Sequence, residues 1–101
     1  MAACPTFTAD GNWVVITQDC TMGGEVTVSS GQTLKVKSSD GAKWRIHAAT
    51  DKRHFTVESG GALIMQGVEL TGGKSTEGGA IYNAGTATLS GCDFTRLYHG
   101  K

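Results

Sequence analysis

Apolar pairs that recur at one spacing constrain this chain more than any single motif. Trp44 and Ile46 reappear as Val68 and Leu70, then as Cys92 and Phe94, each time 24 residues further on. Leu63 and Met65 reappear as Ala87 and Leu89 at the same step, and Val57 maps onto Ile81. Earlier in the chain the step is 29: Val26 and Val28 map onto Phe55 and Val57, and Leu34 and Val36 onto Leu63 and Met65. Each pair brackets one residue of the opposite face. The local period is therefore 2 over a few residues, the pattern of a short strand. Helical periodicity is nearly absent.

The strands group into units. The first is built on 14–16, 26–28 and 34–36, the second on 44–46, 55–57 and 63–65, and the third on 68–70, 79–83 and 87–89. A fourth opens at 92–94. The turns 28–34, 57–63 and 81–87 align with one another. Three strands per repeat of 24 to 29 residues predict a parallel β-helix, in which each strand pairs with its counterpart one coil away, about 4.8 Å along the axis. Trp44, Ile46, Phe55, Val57, Leu63, Met65, Val68, Leu70, Ile81, Leu89 and Phe94 then share one inward column. A small β-sandwich has strands at similar spacing, but it has no reason to repeat its offsets at 24.

Glycine supports the repeat. It fills 15 of 101 positions, about twice the usual ~7%. Gly31, Gly60, Gly61 and Gly85 fall at corners, where restricted or left-handed backbone angles are needed. Ser30, Ser59 and Asn83 are expected to stack at one corner. Nine basic and nine acidic side chains cancel, so the chain lacks the basic footprint of a nucleic-acid binder. No apolar run approaches the ~18 residues of a membrane helix, and no signal-peptide pattern is visible.

The string Gly78-Gly79-Ala80-Ile81-Tyr82-Asn83 resembles the repeat of the polymorphic outer-membrane-protein family and of related right-handed β-helix passengers and autotransporter adhesins. Gly85-Thr86-Ala87-Thr88-Leu89-Ser90-Gly91-Cys92-Asp93-Phe94 resembles their following coil, and Gly60-Gly61-Ala62-Leu63 is a weaker echo. The family's Phe-x-x-Asn is not completed, because Leu97 stands where Asn is usual. The resemblance covers about residues 26–97. It implies an extracellular or cell-surface protein, usually far longer than this chain, and leaves activity open, since such coils carry adhesins, enzymes and inert scaffolds alike.

Three sets of residues are candidates for chemistry. Arg45, Glu69 and Asp93 stack at the step of 24 on the outward side of one face. Paired carboxylates there can hold calcium or share acid–base work on a polysaccharide; the plainer alternative is a surface Arg45–Glu69 pair beside a solvated Asp93. Threonines in register, Thr27 with Thr56, Thr33 with Thr86, and Thr71 with Thr95, suggest an ice-matching face. Ala80, Ala62, Lys35, Lys37, Glu58 and Arg45 interrupt it. Cys4 and Cys20 are expected to be bonded, or close, if the protein is secreted, with Cys92 a buried free thiol above Val68. His47, His54 and His99 lie on different elements and assemble no metal set. Gly73-Lys74-Ser75 lacks the earlier glycine of a phosphate loop.

The resulting expectation is an all-β chain, a right-handed parallel β-helix (solenoid) of about three coils with three short strands each. Residues 1–12 form an N-terminal cap or tail, 13–97 the coils and 98–101 a C-terminal tail. The function expected is a non-enzymatic scaffold or binding module of adhesin or passenger type. It is either a segment of a longer surface or secreted protein or a self-associating unit. The alternatives are a polysaccharide-acting lyase- or hydrolase-like fragment and an ice-binding protein. The partners expected are a carbohydrate or cell-surface ligand, or a second copy joined through an open C-terminal end with Phe94, Leu97 and Tyr98 in the contact. No catalytic residue, cofactor, metal, nucleic acid or membrane insertion is expected.

Overall fold

Most of the apolar steps in the sequence reappear as strand pairings. The computed structural model describes residues 2–39, 41–49, 52–72, 74–75, 80–95 and 98–99, with 74–75, 94–95 and 98–99 described in backbone only. Among the described residues there is no helix. The strands are β1 (Ala2–Ala3), β2 (Trp13–Ile16), β3 (Cys20–Thr21), β4 (Val26–Val28), β5 (Thr33–Ser38), β6 (Arg45–His47) and β7 (Phe55–Val57). They continue with β8 (Ala62–Gln66), β9 (Glu69–Thr71), β10 (Lys74–Ser75), β11 (Ile81–Asn83), β12 (Thr86–Ser90), β13 (Asp93–Thr95) and β14 (Tyr98–His99).

All their pairings are parallel. Sheet one has the order β1-β3-β6-β9-β13, sheet two β4-β7-β11 and sheet three β2-β5-β8-β12; β10 and β14 pair separately. From β3 to β13 the chain visits sheets one, two and three in fixed rotation, with only β10 interposed. A parallel neighbour cannot be reached by a hairpin, and from β2 to β13 each strand meets its next partner only after the chain has passed through the other two sheets. Ile46 pairs with Leu70 and Leu70 with Phe94 in sheet one, Val28 with Val57 in sheet two, and Leu34 with Leu63 and Met65 with Leu89 in sheet three.

Alternation within these short strands puts one set of side chains inside. Ile16, Val28, Leu34, Val36, Ile46, Phe55, Val57, Leu63, Met65, Val68 and Leu70 are all fully buried in one cluster. Each such side chain contributes on the order of 1.5–3 kcal/mol relative to exposure. Trp44 and Ile81 are half-buried against the cluster.

The corner between sheets two and three shows why glycine sits there. The turns at Ser29–Gln32 and Glu58–Gly61 close with the same backbone bond, and Gly31 N donates to Gly60 O at 3.0 Å, so one turn lies on the other. Gly31 and Gly60 have φ of 83° and 85°. Gly85 is different. A Cβ at Gly85 would fall on the carbonyl oxygens of Glu58 and Gly61, so close approach of two backbones, not a left-handed angle, demands glycine there.

Three expectations are corrected. Residues 14–16 do not begin the sheet-one stack; Val14 pairs with Val36 in sheet three. Their expected place is taken by β3, where Cys20 pairs with Ile46; a two-residue strand is too short to show alternation. Second, Ile81 pairs with Phe55 and Asn83 with Val57, a step of 26 rather than 24. The link from sheet one to sheet two is two residues longer here than one circuit earlier, and the next link is two residues shorter. Asn83 therefore extends sheet two instead of stacking with Ser59, and its side chain accepts from Gly85 N at 3.0 Å. Third, Leu89 is 38% exposed, because β12 is the edge of its sheet among the described residues. The terminal segments carry short strands: β1 pairs with β3 and β14 with β10, and Phe7 packs edge-to-face on Phe55 with centroids 5.4 Å apart.

Candidate functional site

With the apolar cluster buried, any chemistry must lie on the outward faces, at the N-terminal end, or at a polar group inside. On sheet one the register puts Arg45, Glu69 and Asp93 in one outward row. The row works as ion pairs. Arg45 Nε lies 3.5 Å from Glu69 Oε1, and Lys43 Nζ donates to Asp93 Oδ2 at 3.0 Å. Asp19 accepts from Arg45 N at 2.8 Å and ties the row to the preceding circuit. Asp93 is thus paired rather than merely solvated, and the partner that sequence reasoning missed is Lys43, two positions ahead of Arg45. Beside the row, His47 and Thr71 share a 2.6 Å hydrogen bond between Nδ1 and Oγ1. The described residues contain no group of three or more His, Cys, Asp and Glu side chains placed to hold a metal ion.

Sheet two carries a second compensated cluster. Thr27, Thr56 and Tyr82 share an outward row, so the threonine pair is followed by tyrosine where Ala80 was expected. Thr56 donates its hydroxyl to Glu25 and accepts from Arg53 Nη1 at 3.2 Å. Arg53 also lies 3.9 Å from Glu25, and its guanidinium sits over the Tyr82 ring, 5.2 Å from the centroid.

Sheet three is unlike the other two. Its strands read Trp-Val-Val-Ile, Thr-Leu-Lys-Val-Lys-Ser, Ala-Leu-Ile-Met-Gln and Thr-Ala-Thr-Leu-Ser, without one Asp or Glu. Trp13 pairs with Lys35 and Val15 with Lys37. Both ammonium groups lie over the Trp13 ring, Lys35 Nζ at 5.4 Å and Lys37 Nζ at 5.2 Å from the centroid. Among the described residues neither lysine makes an ion pair. In the sequence these lysines only interrupt a threonine pattern; the step of 22 that pairs Trp13 with Lys35 and Val15 with Lys37 is the signal that could have found the group.

Inside, His54 is fully buried beneath sheet one. Its Nε2 lies 2.8 Å from Ile46 O. A carbonyl only accepts, so Nε2 carries the hydrogen and Nδ1 the lone pair. Nδ1 has no partner. Burial, the largest influence, holds the His54 pKa below its ordinary value; the Ile46 and Thr71 backbone favours the charged form, and His47 opposes it.

At the N-terminal end, Cys4 and Cys20 are joined by a disulfide. Cys92 is a free, half-buried thiol rather than a fully buried one. Beside the disulfide a cleft of about 280 Å³ runs between Pro5, Phe7, Met22 and Glu25. Of the residues expected at a self-contact, Phe94 and Tyr98 are described in backbone only and Leu97 lies outside the described residues. Compared with known families, with curated proteins and with solved structures, the chain matches none.

Proposed function

We propose that the chain is a stretch of right-handed parallel β-helix acting as a non-enzymatic scaffold or binding module of the adhesin or passenger kind. The fixed rotation through three parallel sheets carries this reading. A rotation of that kind stacks near-equivalent circuits, a regular shelf on which outward side chains change while the core repeats. The Gly78-to-Asn83 string supports the passenger resemblance. The Cys4–Cys20 disulfide supports an extracellular or cell-surface location, since such bonds persist in oxidising compartments. The candidate carboxylates of the outward row, Glu69 and Asp93, are each paired with a cation.

The test is incubation with a panel of polysaccharides, reading new reducing or unsaturated ends. The reading expects none. Ends that appear with the unmodified chain, and vanish when Glu69→Gln and Asp93→Asn are combined, would overturn it in favour of a polysaccharide-acting enzyme.

A further inference from the structure

On sheets one and two the outward acids and bases are matched: Lys43 with Asp93, Arg45 with Glu69, Arg53 with Glu25. Sheet three breaks the pattern with two lysines and no acid on any of its four strands. The lysines stand two residues apart on β5, so their stems leave one face about 6.6–7 Å from each other. Holding two ammonium groups over a single indole opposes like charges. The ring's negative face offsets part of that repulsion, and an anion lying between the two would remove the rest.

We propose that the outer face of sheet three binds an extended acidic polysaccharide, with the Lys35 and Lys37 ammonium groups on its acid groups. The charge of the face selects an anion, and the rest of the face selects a sugar chain. Val15 is 40% exposed beside Trp13, which gives the C–H side of a sugar ring an apolar surface to cover. Gln66, Thr88 and Ser90 are exposed on the neighbouring strands and present amide and hydroxyl groups to its oxygens. A nucleic acid fits less well, because its affinity rests on many phosphate contacts at once; this face offers two cations in a chain of zero net charge.

This inference rests on the binding-module reading and names the ligand class and face. The experiment is affinity electrophoresis of the full chain in gels containing polygalacturonate, with the fully methyl-esterified polymer as the uncharged control. The unmodified chain should be retarded by the acid form only, and less so as salt is raised. Lys35→Gln combined with Lys37→Gln should weaken retardation by about tenfold or more, while Lys43→Gln, which removes one charge from sheet one, should leave it intact. Both lysines point outward, and an unchanged thermal transition of the double variant confirms that its fold is kept. No retardation, equal retardation of the double variant, or equal loss with Lys43→Gln would each overturn the proposal. So would a dimer that the double variant abolishes, which would make the face a contact between copies. None of these results touches the scaffold reading, which falls only if the polymer is cut.

Discussion

Strands β8 and β12 occupy the same sheet one circuit apart, yet they live in different surroundings. In β8, Leu63 and Met65 are fully buried, whereas in β12 their partners Ala87 and Leu89 are half-buried and 38% exposed. The pairing, the alternation and the inward direction are alike. What differs is coverage: β8 has β5 on one side and β12 on the other, and β12 has only β8 among the described residues. In a stacked arrangement the worth of an apolar side chain is set by the circuits above and below it, not by its own strand.

Truncation should expose that difference most strongly. Leu63→Ala is expected to cost about 2–5 kcal/mol, transfer and cavity together, and Leu89→Ala about 1 kcal/mol or less. Urea denaturation of both variants reads the contrast. Equal losses would mean that β12 is covered as well as β8 is, and the comparison would fail.

A smaller effect tests whether the outer circuit is seated tightly despite its exposed side chains. Gly85→Ala puts a methyl group onto the Glu58 and Gly61 carbonyls. Backbone cannot swing aside as a side chain does, so about 1–3 kcal/mol should be lost. Gly31→Ala meets open space at a φ of 83° and should lose about 1 kcal/mol, from the backbone angle alone. If Gly85→Ala proves as stable as the parent in thermal melts, the corner between these circuits is loose.

The subtlest effect belongs to the inner circuit alone. His54 has a lowered pKa in the folded chain and an ordinary one, near 6.5, when unfolded. Below about pH 6.5 the unfolded chain takes up a proton that folded His54 resists, so stability falls as pH falls; above that value this contribution is constant. Comparing urea midpoints at about pH 7.5 and about pH 5 should show the loss. His54→Gln keeps an Nε2 donor for the Ile46 carbonyl without a titrating group, and its dependence over that range should be weaker. An unchanged slope in the variant would clear His54 of the effect.

The parallel pairing in sheets one and three was legible in the sequence because inward residues such as Ile46, Leu70, Leu63 and Met65 repeat at fixed steps. The misplacements have physical causes. Ile81 and Asn83 alternate equally well in either of two registers, since a slip of two residues preserves which face each side chain takes. Cys20–Thr21 is too short to announce itself. The outward groups were harder to see. Arg45, Glu69 and Asp93 stood out as a row, with Arg45 and Glu69 readable as a pair, but Lys43 as the partner of Asp93 became visible only with the side-chain geometry. The strand of Trp13 and Val15 pairs with that of Lys35 and Lys37 at a step of 22, a register that the repeats of 24 and 29 do not give. His54 reads as a polar surface residue until its neighbours are known to enclose it.

The two-residue shift between β7 and β11 has a consequence for how such a chain can change. Ten residues separate the starts of β6 and β7, and seven those of β7 and β8; for β9, β11 and β12 the corresponding counts are twelve and five. The slack let out on one side of the loop is taken in on the next, so sheets one and three keep their phase while sheet two rotates its side chains past those below. Between these two circuits the change at one corner is thus cancelled at the next, whereas the link from β5 to β6, counted between strand starts, is five residues longer than that from β8 to β9. Here an insertion at one corner is matched by a deletion at the next, so a designer who wants a new side chain over Thr56 can move the existing alphabet along sheet two and leave sheets one and three in phase.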